Sequence, residues 1–351
     1  MGEERIAATK THNFGIDILR VWMCFEVILI HFGSIYIPEG TTMFRPSRVA
    51  YSLLCVAVPS FLFVSFLLCA PLLNNPSIGK RAILDRLRRI SVPILFWGVV
   101  YFLVEDLSAL AVGKPMPATF ADLALQLLTG HVYNVPMWYM NVLLALTLTV
   151  VMINKLVPRR GWVAANIVMT VGALAFCWSG LNYRCFDMLD FEFRYTMGRY
   201  FEMMPLAGAA NLIYLSGAKV PEGERRIRSI LILMLICFCA WLTSYTDIYA
   251  GFGYGSPYQF LFPIPFVLLM WILPLNGLDS LLRHTITPLA RCTLGIYCLH
   301  FLIGDYVNAL CRQVGWPENT SMGCVAIFAI SYAICRLMTI LPWRFVRKAV
   351  S

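Results

Sequence analysis

A chain of 351 residues that is 59% hydrophobic, 13% charged and +0.71 in mean hydropathy is not a string of soluble domains; it reads as an all-α polytopic membrane protein. Its formal charge of +9 does not point to nucleic acid, because the basic residues cluster in short segments between apolar runs, where they determine topology. The twelve cysteines lie mostly inside those runs, with no CxxC pair and no Cys/His metal spacing, so most are packing residues and no metal site is expected.

The polar start, MGEERIAATKTHNFG, has no small-residue cleavage site behind it and carries Ile6 where a myristoylation signal needs Ser or Thr. Residues 1–14 are therefore expected to remain as a cytoplasmic tail. Taking apolar runs of about 18 to 25 residues as spans, ten helices are expected in one membrane domain, 15–342. They lie near 15–37, 48–73, 91–113, 136–156, 161–180, 199–218, 228–250, 258–275, 291–312 and 320–342, followed by a basic tail, 343–351. With the N-terminus inside, the inner segments hold nineteen Lys and Arg and the outer ones seven, with Arg20 and Arg336 inside spans. That asymmetry supports ten spans with both termini cytoplasmic; the expected location is the inner cell membrane.

The first span, GIDILRVWMCFEVILIHFGSIYI, is long enough to cross yet carries Asp17, Arg20, Glu26 and His31. Ionisable groups in hydrocarbon face a bundle interior or a wet cavity and mark a site by default. Arg20 and His31 are eleven residues apart, so they fall about 20° from each other around the helix and about 16 Å apart along it. One face then holds a fixed cation near the cytoplasm and a titratable imidazole further outward. Glu26, about 140° from His31, is badly placed to orient the imidazole. Asp17, three residues before Arg20, is placed to pair with it.

The second span contains VAVPSFLFVSFLL, with Pro59 in mid-run and Ser60 and Ser65 around it, and reads as a kinked packing helix. The inner loop GKRAILDRLRRISVP sets Ile83, Leu84, Leu87 and Ile90 on a helical stripe and Arg86 and Arg89 on one flank, as a short interfacial helix with a basic edge would. Two partners suit that edge: anionic lipid, or phosphates, which guanidinium forks match. The outer segment Lys114 to Pro136 holds Asp122, His131 and Tyr133 and leads into PMWYMN. Its Trp138 has the position of an interface aromatic. The polar stretch 182–199 fits either a sugar-binding rim or a solvated loop that pairs its own charges. Near it Cys185, with Cys311, can lie toward the outer surface, but nothing in their spacing argues for a disulfide. In the ninth span, LGIYCLHFLIGDY, Thr293, Tyr297 and His300 follow an i, i+4, i+7 stripe facing the bundle interior. There His300 can relay or orient for His31, or tie helices together.

These residues resemble the acyltransferase 3 family of integral membrane acyltransferases. IDILRVWMCFEVILIH, with Arg20 and His31 separated by ten residues, is similar to that family's first helix. VPSFLFVSFLL, RLRRISVPILFW with Arg86 and Arg89, PMWYMNVLL and LGIYCLHFL resemble its later motifs in the same order. The likeness covers the first 145 residues and 291–303. Phe66 stands where the family often has Gly, and Met137 precedes Trp138; neither touches the Arg/His pair.

The resemblance implies transfer of an acyl group, usually acetyl, from cytoplasmic acyl-CoA to a hydroxyl of a carbohydrate or lipid-linked glycan acceptor, with membrane lipid around the protein. Acyl-CoA is the donor substrate, and no permanently bound cofactor is implied. No soluble domain accompanies the spans, so the membrane domain is expected to do the whole reaction. The site expected on this basis has His31 and Arg20 as catalytic residues, Arg86, Arg89 and Trp138 as donor-binding residues, and Asp17, Tyr297 and His300 in support. His31 acts either as general base or as a transient acyl carrier. Two rivals stay open on sequence grounds: a transporter or flippase for a lipid-linked or small polar solute, and a scaffold without catalysis.

Overall fold

The computed structural model describes residues 13–33, 56–75, 79–111, 113, 119–130, 137–217, 224–247, 263–273, 275 and 280–350. Among them every regular element is helical. Arg45, Arg48, Lys114, His131 and Tyr133 lie outside the described residues.

Helix α1 (Phe14–Phe32) starts at Asn13. The Asn13 side chain accepts from the Ile16 N–H at 3.1 Å and donates to the Trp271 carbonyl at 2.7 Å, so the cap also fastens α1 to α9 (Pro263–Ile272). Helix α2 is Ala57–Leu73. Because it begins at Ala57, Pro59 sits in the first turn, where a missing N–H removes no helical bond, instead of kinking the middle of a span. The interior proline is Pro71.

The expected interfacial helix and third span are one helix, α3 (Lys80–Ala111), which runs through Pro93. Nothing before Pro93 breaks the helical pattern, and a membrane helix tolerates a proline where neighbours satisfy the freed carbonyl. Its stripe is buried at Ile83 and Ile90, while Leu84 is half exposed. A short helix, α4 (Phe120–Thr129), opens on a capping box in which Thr119 and Asp122 bond each other's backbone and side chain. The Thr119 hydroxyl and N–H hold the Asp122 carboxyl below its ordinary range, so the cap persists until the pH falls through that lowered value.

Helix α5 is Trp138–Leu156, and α6 (Arg159–Trp178) contains one π turn at Val168–Gly172. Helix α7 (Phe191–Leu215) takes in the end of the polar stretch that the sequence reads as loop. Helices α8 (Glu224–Asp247), α10 (Ser280–Gln313), α11 (Ser321–Ile340) and α12 (Arg344–Val350) complete the order. Five of these, α3, α5, α6, α10 and α11, are long and apolar enough to cross a membrane. At 32 and 34 residues, α3 and α10 exceed the roughly 20 that a bilayer core needs. Within the described residues, other expected spans are shorter, as α2 and α9, or more charged, as α1.

One contiguous core joins residues from Ile16 to Val350. Helix α1 packs on α2, α9, α10 and α11; α2 packs on α5, α5 on α3, α3 on α12 and α12 on α10, which closes a ring back to α1. The basic tail is part of this ring. Trp97 on α3 donates to the Ala349 carbonyl at 2.9 Å, and Ala349 and Val350 are buried.

Small residues allow the closest approaches, as membrane helix pairs require. A Cβ on Gly304 of α10 would run into the Phe32 ring of α1, and one on Gly295 would meet Cys335 and Val350. Gly304→Leu is expected to lower the thermal midpoint in detergent, an overpacking loss of about 1–3 kcal/mol, with Gly304→Ala losing less. Fluorescence-detected size exclusion after heating checks this order.

Candidate functional site

The two faces of α1 differ in kind. Ile18, Val21, Trp22 and Phe25 line an apolar groove on the outside of the bundle with Ile286 and Phe328, and Trp22 is 49% exposed. His31 lies nine residues after Trp22, about 180° around the helix, and its side chain is also exposed. His31 thus lies on the face of α1 turned to α10, where its ring meets those of His300 and Phe301. Arg20, half buried, shares that inner side. Asp17 is buried one turn before Arg20. Glu26 is buried too, but it bonds the Trp22 side chain of its own helix, away from His31.

Helix α10 supplies the wall facing His31. Thr293, Tyr297 and His300 are all buried, on the stripe their spacing describes. The Cys24 thiol of α1 donates to the Thr293 carbonyl at 3.5 Å, which sets α1 and α10 in register. One to two turns outward the His31 and His300 rings come to 5.5 Å between centroids, tilted by 38°, with Phe301 edge-on to His31 at 5.3 Å. His300 is 0% exposed, and its Nδ1 donates to the Tyr297 carbonyl at 2.5 Å.

The Arg20 end of the site comes from α2, α3 and α5. Arg86 donates to the Ser65 hydroxyl at 2.7 Å. The fields of the Arg86 and Arg20 guanidiniums both reach the Tyr139 hydroxyl. The Tyr139 ring lies 6.4 Å from Phe61 and 5.5 Å from Tyr297, which in turn is 5.8 Å from His300. Two cations, Arg20 and Arg86, thus stand at one end of a run of aromatic rings that ends at the His31–His300 pair. Arg89, one turn past Arg86, is exposed on the surface.

Trp138 is buried and packs toward α7. Its ring carries the Arg199 guanidinium at 5.6 Å, and Arg199 also stacks on Tyr195 at 4.6 Å. Arg199 and Glu202 form an ion pair at 2.8 Å, their side chains 11% and 0% exposed. Further out Arg194 pairs with Asp187 at 3.4 Å, so the polar stretch pairs charges of its own; Cys185 and Cys311 are free. Among the described residues no three His, Cys, Asp or Glu side chains gather as metal ligands.

Sequence reasoning noted Ser65 and Tyr139 without giving either a role, and passed over Tyr101. Tyr139 stood in the quoted PMWYMN run, where its neighbour Trp138 drew the attention. The signal for Ser65 was a hydroxyl in an otherwise apolar run; Tyr101 gave none, since its partner is backbone.

Fold and site together define a helical membrane protein in which a histidine pair joins α1 to α10 and buried polar side chains lie between the helices. The family model described as an acyltransferase domain matches residues 13–339, and the chain belongs to this acyltransferase 3 family. No curated protein and no solved structure gives a match.

Removing one partner of a buried ion pair strands the other charge. Arg199→Met is expected to destabilise by about 3–5 kcal/mol, and adding Glu202→Gln in the same chain to recover most of it. Thermal midpoints of the two variants in one detergent test the coupling.

Proposed function

We propose that the protein is an acyl-CoA-dependent O-acyltransferase of a cell membrane that moves an acyl group, acetyl by preference, to a hydroxyl of a carbohydrate or glycolipid. In this reading the chain spans the membrane ten times with both termini in the cytoplasm. The observation that carries it is the pairing of Arg20 and His31 on the inner side of α1, with Arg86 converging on the same groove. Acyl-CoA has its charges on the nucleotide and its thioester at the end of a long, nearly neutral pantetheine arm. Phosphates held by Arg86 and Arg20, with Arg89 at the surface, leave that arm to pass Tyr139 and Tyr297, whose rings are uncharged. The thioester then reaches His31, about 16 Å from Arg20 along the helix.

There neutral His31 takes the proton of the acceptor hydroxyl as its oxygen attacks the thioester carbonyl. The new C–O bond forms, the C–S bond breaks, and the proton passes on to the leaving thiolate to give free CoA. A positioned base of this kind contributes about 10²–10⁴ in rate. An imidazole suits the task because its ordinary pKa, about 6.5, leaves it unprotonated at neutral pH. Arg20 stabilises the donor's negative charge at the mouth of the groove and takes no proton.

His31→Ala should leave acetyl-CoA binding intact and abolish transfer, so that glycans and glycolipids of cells carrying it match in mass those of cells lacking the protein. An acetyl-sized increment that survives in a folded His31→Ala protein contradicts the base assignment. Arg86→Ala with Arg89→Ala should weaken binding of acetyl-CoA more than that of an acetylated pantetheine lacking the nucleotide. Equal loss for both probes contradicts the phosphate assignment.

A further inference from the structure

We propose that His300 is the positioning residue for His31: its Nε2 accepts a hydrogen bond from one ring nitrogen of His31 and leaves the other free to receive the acceptor's proton. The proposal rests on the general-base reading of His31. It begins with the tautomer. A carbonyl oxygen only accepts, so the 2.5 Å contact from His300 Nδ1 to the Tyr297 carbonyl puts the hydrogen on Nδ1 and, in the neutral ring, the lone pair on Nε2. That Nε2 is buried and has no hydrogen-bond partner. A buried acceptor in this condition calls for a donor.

The direction of Nε2 follows from the ring. Its two nitrogens point to nearly opposite sides, so with Nδ1 turned back to its own helix, Nε2 faces α1. The rings around His300 are His31, Phe32, Tyr297 and Phe301. The phenylalanines offer no N–H or O–H, and Tyr297 lies one turn back on His300's own helix, the side from which Nε2 points away. His31 brings the donor. At 5.5 Å between centroids, a turn of the exposed His31 ring about its own side-chain bonds brings facing nitrogens to hydrogen-bond reach, about 2.7–3.2 Å.

A second contact holds His300 still while His31 turns. The Tyr101 hydroxyl of α3 donates to the Cys298 carbonyl at 2.8 Å and accepts from the Leu302 N–H at 3.3 Å. Those two groups are i, i+4 partners of one α10 turn, and His300 sits on that turn. A side chain inserted in the ladder this way sets the local bend of a helix. Tyr101 therefore fixes the direction in which His300 presents its lone pair.

The test uses full-length protein in lipid nanodiscs with acetyl-CoA and glycolipids extracted from cells lacking the protein, and reads release of the CoA thiol. His300→Leu is expected to lower kcat roughly ten- to a hundredfold, the size of a lost hydrogen bond to a group gaining charge, with KM for acetyl-CoA unchanged. His300→Gln, whose amide oxygen can stand near the Nε2 position, should restore most of kcat. Tyr101→Phe should lower kcat by about tenfold, again without a change in KM, and serves where the leucine variant does not fold. Wild-type kcat in His300→Leu or in Tyr101→Phe, or a glutamine variant as slow as the leucine one, overturns the proposal. Turnover that survives His31→Ala instead overturns the general-base reading, and a dead His31→Ala beside an unaffected His300→Leu defeats the positioning role alone.

Discussion

Hydrocarbon does not accept unpaired charge, and α1 carries four ionisable side chains through a bundle whose other surface must meet lipid. The helix resolves this by dividing its circumference. Ile18, Trp22 and Phe25 take the outside, while Arg20 and His31 turn inward. The neighbours of α1 follow from that division, because an inward cation and imidazole need polar or aromatic walls and not close-packed aliphatic ones. Ser65, Arg86, Tyr139, Tyr297 and His300 are those walls, contributed by α2, α3, α5 and α10.

Holding the walls at the right separation is a matter of small residues and backbone bonds. Gly304 lets Phe32 of α1 lie against α10, and the Cys24 thiol bonds the Thr293 carbonyl two turns below. These contacts bracket the turn on which His31 and His300 meet. On the far side of α10, α12 closes the ring through Trp97 and the buried Val350. A tail that looks in sequence like a basic surface helix is thus also a packing element of the site's supporting wall.

What the sequence discloses depends on how local the cause is. The 1.5 Å rise and 100° turn of a helix place Arg20 and His31 on one side, and Thr293, Tyr297 and His300 on one stripe, without reference to anything else. Charge clustering around apolar runs likewise marks a membrane protein. Contacts made between helices far apart in the chain leave no such trace. Tyr139 and not Trp138 faces Tyr297, because α5 begins beside α7 and spends its first ring on the Arg199 guanidinium. Tyr101 reaches backbone, which every residue has, so no pattern announces it. The Arg86 and Arg89 flank divides for a similar reason: α3 continues unbroken into the bundle and carries Arg86 to Ser65, while Arg89 stays on the surface.

The acyltransferase 3 family places an acyl-transfer reaction on this scaffold. The most direct test is thiol release from acetyl-CoA by the purified protein in nanodiscs, with and without membrane glycolipid, in wild type and His31→Gln. The account predicts CoA release that requires both the glycolipid and His31. Release that proceeds equally in His31→Gln, or glycolipid crossing the bilayer with no thioester cleaved, contradicts it.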